Sequence, residues 1–181
     1  VMAIGRKFEE TLQKAIRMLD VGMNGLIANN INFNDIEDEL KNPTDERLFA
    51  VVNALKTDYN IDKIYELTGI DKWVLYKIKN VVEIEQEIIN NKNDLSKELL
   101  LKAKKYGFSD KQIGILIEKD RDFVYRLREN YEINPFIKQI DTLAAEYPAK
   151  TNYLYLTYNA QEDDLILNEK PVIVLGSGTY R

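Results

Sequence analysis

The sequence predicts an all-α fold of two similar helical subdomains, with short extended segments only at the two ends. Three observations carry this reading. The first is a repeat at an offset of 49 positions, which lays Tyr59 on Phe108, Ile64 on Ile113, Leu67 on Leu116, Val74 on Phe123, Leu75 on Val124 and Ile78 on Leu127. Apolar falls on apolar, as it must when one small supersecondary unit is used twice. The second is that polar punctuation obeys the same offset: Asn60 falls on Ser109 and Asp71 on Asp120. Each precedes a run of helix formers, where a short oxygen-bearing side chain can accept the orphan amides of a first turn. The third is periodicity, since the apolar residues recur at spacings of three and four rather than two.

Taken in order, Val1–Arg6 reads as the end of an extended segment entering a helix at Lys7. Phe8, Leu12, Ile16 and Leu19 then form one apolar stripe. Gly22 and Gly25 stop this helix, and the Asn-rich stretch from Asn24 to Asn34 reads as a polar loop. Pro43, a capping Thr44 and the acidic pair Asp45–Glu46 mark a helix start, whose buried face is Leu48, Val51, Val52 and Leu55. Val51, Val52 and Ala54 fall on Leu100, Leu101 and Ala103, so each repeat reads as one helix, a turn and two more helices. The helix from Lys72 runs on through Val82 and Ile89, an arm of roughly 28 Å that links the two repeats. Asn90–Asn93 break it, and the next helix begins near Leu95. Ser109 with Gln112 three positions on is a capping box. Beyond Arg128 the helical period is lost: Pro135 and Pro148 appear, and Tyr153-Leu154-Tyr155-Leu156 favours an extended, aromatic-anchored tail.

Composition narrows function more than any motif. The chain has 181 residues, a net charge of −5 and neither histidine nor cysteine. No His-assisted nucleophile, histidine-bearing zinc site or thiol chemistry can therefore be built. The 30 acidic residues are spread over helix faces as a solvated surface, so no catalytic, cofactor-binding or metal-binding residue is assigned. No apolar run reaches the roughly 20 residues of a membrane span. The Gly176–Gly178 pair after Val172–Leu175 lacks the third glycine and helix of a nucleotide site. A cytoplasmic location is expected, and an organelle is the alternative.

At this point the pieces resemble a family. Val1-Met2-Ala3-Ile4-Gly5-Arg6 with Phe8-Glu9-Glu10 looks like the last strand and helix of the first ATP-grasp unit in the large subunit of carbamoyl phosphate synthetase. Leu67-Thr68-Gly69-Ile70-Asp71-Lys72-Trp73 and Gly107-Phe108-Ser109-Asp110-Lys111-Gln112-Ile113 resemble the helical oligomerisation or connection domain that follows it. Asp141-Thr142-Leu143-Ala144-Ala145-Glu146 and Thr151-Asn152-Tyr153-Leu154-Tyr155 resemble the segment leaving that domain. Leu175-Gly176-Ser177-Gly178-Thr179-Tyr180-Arg181 is similar to the opening turn of the second unit, in the eukaryotic type.

The resemblance implies four parts. Residues 1–22 would end one synthetase unit and 23–130 form the helical domain, with repeats at about 44–93 and 94–130. Residues 131–170 would be an extended tail and linker, and 171–181 the start of the next unit. It also implies a non-catalytic role inside an ATP-dependent ligase serving pyrimidine or arginine biosynthesis. ATP and magnesium would be bound in the flanking units and nowhere here. The partners implied are those units and further copies of the chain. Trp73 breaks the repeat's core pattern, and Tyr76 aligns with Tyr125, so these three are the candidate interface residues. The alternative is a helix-turn-helix nucleic-acid binder reading with Lys72, Lys77, Lys79, Arg121, Arg126 and Arg128, against which the net negative charge stands.

Overall fold

The computed structural model describes residues 1–57, 59–140, 146 and 153–165. Among these the chain is mostly helical: α1 (Phe8–Met18), α2 (Ile36–Lys41), α3 (Arg47–Lys56), α4 (Ile61–Thr68), α5 (Lys72–Asn90), α6 (Lys97–Lys105), α7 (Asp110–Leu116) and α8 (Arg121–Asn130). One antiparallel hairpin follows, β1 (Phe136–Ile140) with β2 (Tyr153–Thr157), in a register that pairs Phe136 with Thr157 and Ile140 with Tyr153. The all-α class with short extended ends is therefore what the chain adopts. The expectations for Asp141–Ala145, Pro148, Thr151–Asn152 and the Gly176–Gly178 turn lie outside the described residues.

The helix starts follow the caps. Asn60, Asp71, Ser109 and Asp120 accept from the amides of Lys63, Trp73, Gln112 and Phe123, and Ser109 and Gln112 form the reciprocal capping box. Consequently α4 and α7, and likewise α5 and α8, begin 49 positions apart. Gly69 ends α4 at φ 67°, and Glu118, at the same offset, holds φ 58°. Burial agrees at Ile64 and Ile113, at Val51 and Leu100, and at Leu75 and Val124. It departs at Ile78 and Leu127, where the first is buried and the second half-exposed.

The 19-residue α5 is the strut of the molecule, with α1, α3, α4 and α7 packed along it. Its inner face, Leu75, Ile78, Val81, Val82, Ile84 and Ile88, is buried in one continuous apolar core. At about 25 cal/mol per Å² of apolar surface removed from water, that shared face is the main reason the two helical sets stay together.

Several expectations are corrected. α1 buries the predicted stripe only in part: Ile16 is buried and Leu12 packs on the core, but Glu9, Glu10 and Gln13 also face inward, while Leu19 is 52% exposed. The reason is that polar partners supplied from distant parts of the chain make burial of those side chains tolerable. The stretch 24–34 is not simply a polar loop, because Leu26 and Ile27 are fully buried in the core. Helix α2, with Asp35 as its N-cap, was not anticipated. α3 starts at Arg47 rather than at Thr44, whose hydroxyl accepts instead from the Glu46 amide and holds a turn. Leu67 and Leu116 are half-buried rather than central.

These burials set an expected outcome. Ile113→Ala should lower stability by about 2 to 5 kcal/mol and Leu116→Ala by less than about 2 kcal/mol, read from urea midpoints at constant m-value. Equal losses would place both side chains at the same depth.

Candidate functional site

Among the described residues no cluster of His, Cys, Asp or Glu could hold a metal, and no helix is long and apolar enough to cross a membrane. The candidate sites are surfaces and buried polar contacts. Trp73 stands at the start of α5, 54% exposed, with its ring edge-on to Phe8 at 5.0 Å and the Lys77 ammonium 5.3 Å away. Tyr76, also 54% exposed, lies three residues on and so shares that face of the helix. Tyr65 adds a third exposed ring, over which Lys72 sits at 5.2 Å.

Tyr125 stands apart from them on α8. Its hydroxyl donates to Glu129 Oε1 at 2.7 Å, and the Arg128 guanidinium lies 5.0 Å from its ring.

The would-be DNA-reading cations are mostly neutralised within the molecule. Lys72 pairs with Asp62 at 2.6 Å, Lys77 with Glu9 at 3.5 Å, Lys79 with Glu83 at 3.6 Å and Arg128 with Asp110 at 3.4 Å. Nothing supports the nucleic-acid alternative.

What the sequence did not reveal is a buried polar seam along α1. Gln13 Oε1 accepts from the Leu26 amide and from Gln112 Nε2, both at 2.9 Å. Gln112 Oε1 in turn accepts from the Ser109 amide at 2.9 Å and from Arg17 at 3.0 Å. Gln13 Nε2 is left without a partner. Gly25, at φ 145°, passes so close that a Cβ would lie 2.5 Å from Gln112 Nε2. Farther along, Asn80 donates to Glu9 Oε1 at 2.9 Å, tying α1 to α5. Glu85 on α5 has Lys56 Nζ 2.5 Å from Oε2, an ion pair without hydrogen-bond alignment.

Glu10 joins α1 to the hairpin end. It receives the Arg6 amide at 2.9 Å, Lys14 Nζ at 2.8 Å and Asn159 Nδ2 at 3.0 Å, while Asn159 also donates to Lys105 O at 2.7 Å. Lys14 Nζ reaches Ile4 O at 3.0 Å and Leu156 O at 2.7 Å as well. Burial raises the Glu10 carboxyl, but the bonds from Lys14, the Arg6 amide and Thr157 outweigh it and hold the group below the usual carboxylate range. Burial, with smaller opposing effects of Arg128 and Asp110, pushes the Tyr158 phenol up to about 12, and burial alone pushes the Arg17 guanidinium down to about 10.

Beside the seam an open groove of about 570 Å³ runs between the end of α1 and the α7–α8 pair, with Arg17, Asp110, Lys111, Arg121, Tyr125 and Arg128 on its walls. No periodicity in a single sequence brings residue 17 to residues 110–128.

Comparison with known proteins gives the context. The family model for the oligomerisation domain of the carbamoyl-phosphate synthetase large chain matches residues 1–132. The chain is 49% identical to the mitochondrial arginine-specific carbamoyl phosphate synthase large chain of Neurospora crassa, covering 100% of this chain and 16% of that protein. It is 49% identical to multifunctional protein CAD of Squalus acanthias, covering 100% and 8%. With the carbamoyl phosphate synthase large chain of Sulfurisphaera tokodaii the identity is 47%, covering 100% and 18%. The chain thus spans less than a fifth of the length of each of these relatives.

Two outcomes are expected from the seam. Gly25→Ala should destabilise by about 2 kcal/mol or more, because it adds backbone strain to a clash with the paired amides; a loss under about 0.5 kcal/mol in urea denaturation would show that the loop yields. Glu10 has a folded value below its unfolded one, so its contribution is complete above the ordinary glutamate range and is lost as pH falls through the lowered folded value. Glu10→Gln should therefore weaken the protein at neutral pH. The gap between the two urea midpoints should then close as pH is lowered toward 3, whereas a constant gap would show that the carboxylate contributes no charge-dependent stability.

Proposed function

Because the chain belongs to the carbamoyl-phosphate synthetase large-chain family, whose oligomerisation domain it carries, we propose that it serves as a helical joint between two ATP-grasp synthetase units and as a surface for self-association. The domain itself is a non-catalytic oligomerisation region. On this reading the longer protein is an ATP-dependent ligase making carbamoyl phosphate from bicarbonate, glutamine-derived ammonia and two ATP. ATP and magnesium sit in the flanking units. Residues 1–22 close the preceding unit and 171–181 open the following one, with 131–170 as tail and linker. The seam along α1 supports a rigid joint, since Glu9, Glu10 and Gln13 are all bonded to residues beyond position 22. The cytoplasm is the location proposed; the mitochondrial name of one relative marks the organelle as the other address.

The observation that carries the self-association reading is the Trp73–Tyr76 face, two large rings each more than half exposed on one side of α5. Aromatic rings in this setting are typical centres of interfaces, and in a symmetric dimer each would be used twice. Tyr125 belongs to the same proposal as a peripheral contact, since its hydroxyl is already engaged by Glu129.

The chain is expected to form a dimer whose population falls on dilution, and Trp73→Ala should weaken it by more than about 1 kcal/mol. Sedimentation equilibrium over a hundredfold concentration range measures both. A monomer at high micromolar concentration would remove self-association and leave the joint.

A further inference from the structure

Charge does not balance around the groove at the end of α1. Its walls carry Arg17, Lys111, Arg121 and Arg128 against one carboxylate, Asp110. That carboxylate is already shared between Lys104 at 2.6 Å and Arg128 at 3.4 Å. Of the acids nearby, the N-cap Asp120 accepts from the Phe123 amide and Glu129 from the Tyr125 hydroxyl, while the exposed Asp122 forms no ion pair with any cation of the groove among the described residues. Among the described residues, Arg17, Lys111 and Arg121 have no carboxylate within 4.0 Å.

Lys111 and Arg121 alone would be ordinary exposed cations. Arg17 is different, because it is largely withdrawn from water and meets a single neutral acceptor, Gln112 Oε1 at 3.0 Å. A guanidinium has five N–H donors in a planar fork, so most of its capacity is unused. It remains charged at neutral pH, and both it and the Arg128 guanidinium lie close enough to the buried ammonium of Lys104 to repel that group. An uncompensated cation held in a poorly solvated place is costly unless an anion completes it.

We propose that this groove binds a small multivalent oxyanion, of the phosphate or polycarboxylate class. Arg17 and Arg128 form its inner wall, and Lys111 and Arg121 stand at its mouth. Planar forks suit two-oxygen recognition of such groups, and the lysine adds a point charge. The Tyr125 ring leaves one flank apolar, so the groove admits a phosphorylated or carboxylated metabolite more readily than a bare halide. This binding does not depend on the self-association reading, since the two share only the peripheral Tyr125 and none of the groove's cations.

The test is a titration of the ¹⁵N-labelled chain with inorganic pyrophosphate, ionic strength being held constant with sodium chloride. The amides of Asn24, Lys111 and Arg121 should shift and saturate together. The double variant Lys111→Gln/Arg121→Gln alters exposed side chains without partners and so should keep its fold; it should bind about tenfold or more weakly. The control double variant Lys79→Gln/Lys97→Gln removes the same charge elsewhere and should bind as the parent does. Citrate in a parallel titration separates the classes: saturation at the same amides assigns any polyvalent anion, and its failure beside pyrophosphate assigns phosphate. Shifts that never saturate, that scatter over the surface, or that weaken equally in both double variants would overturn the proposal.

Discussion

The structure hangs on two buried side-chain amides that face each other, Gln13 of α1 and Gln112 of α7. Between them they take up the Leu26 amide, the Ser109 amide and one Arg17 donor. One pair of residues thus fixes the position of α1, the path of the buried Leu26–Ile27 segment and the start of α7. Gln13, Gln112 and Leu26 lie where water cannot replace a lost partner, so a shift of α1 along its axis would strand their polar groups together, at roughly 1 to 3 kcal/mol apiece. An apolar stripe would have tolerated sliding, whereas a hydrogen-bonded seam admits one register.

That constraint explains which parts of the fold could be read beforehand. Helix starts depend on side chains two or three residues from the amides they cap, so Asn60, Asp71, Ser109 and Asp120 announce themselves locally. The face that α1 buries depends instead on Asn80, Gln112 and Asn159, far along the chain. Hydropathy treats Glu9, Glu10 and Gln13 as solvent-facing and so points to a face rotated about a quarter turn from the buried one, with Ile16 common to both. The same blindness hid Leu26 and Ile27, two apolar residues among asparagines. Of the candidate site, Trp73 was legible because it breaks the repeated core pattern, and Tyr76 because it recurs as Tyr125 at the repeat offset. The groove was not, because its innermost cation comes from α1 and its walls from α7 and α8.

Charge is deployed differently on the two helices that a nucleic-acid reading would have used. On α5 the lysines at 72, 77 and 79 are each answered by a carboxylate, so the helix presents rings rather than a positive stripe. On α8 Arg128 turns inward to Asp110 and the Ile133 carbonyl. Among the described residues Arg126 stays exposed without an ion pair, and further unanswered positive charge lies in the recess beside α1, where phosphate strands of a duplex would have to follow a concave wall. An aromatic face on one side and a cationic recess on another are chemically distinct surfaces held apart by the same core.

Lys14 gives the fold a mechanical property. Its ammonium bonds the carbonyls of Ile4 and Leu156 together with the Glu10 carboxylate, so the strand of chain that enters the helical body and the one that leaves it are fastened at one point. Tension arriving along those two segments would meet across that clasp before loading the helices behind it. Load would then pass from one segment to the other at the neck, like the crimp on a beaded thread, while the interior of the body stays unstretched.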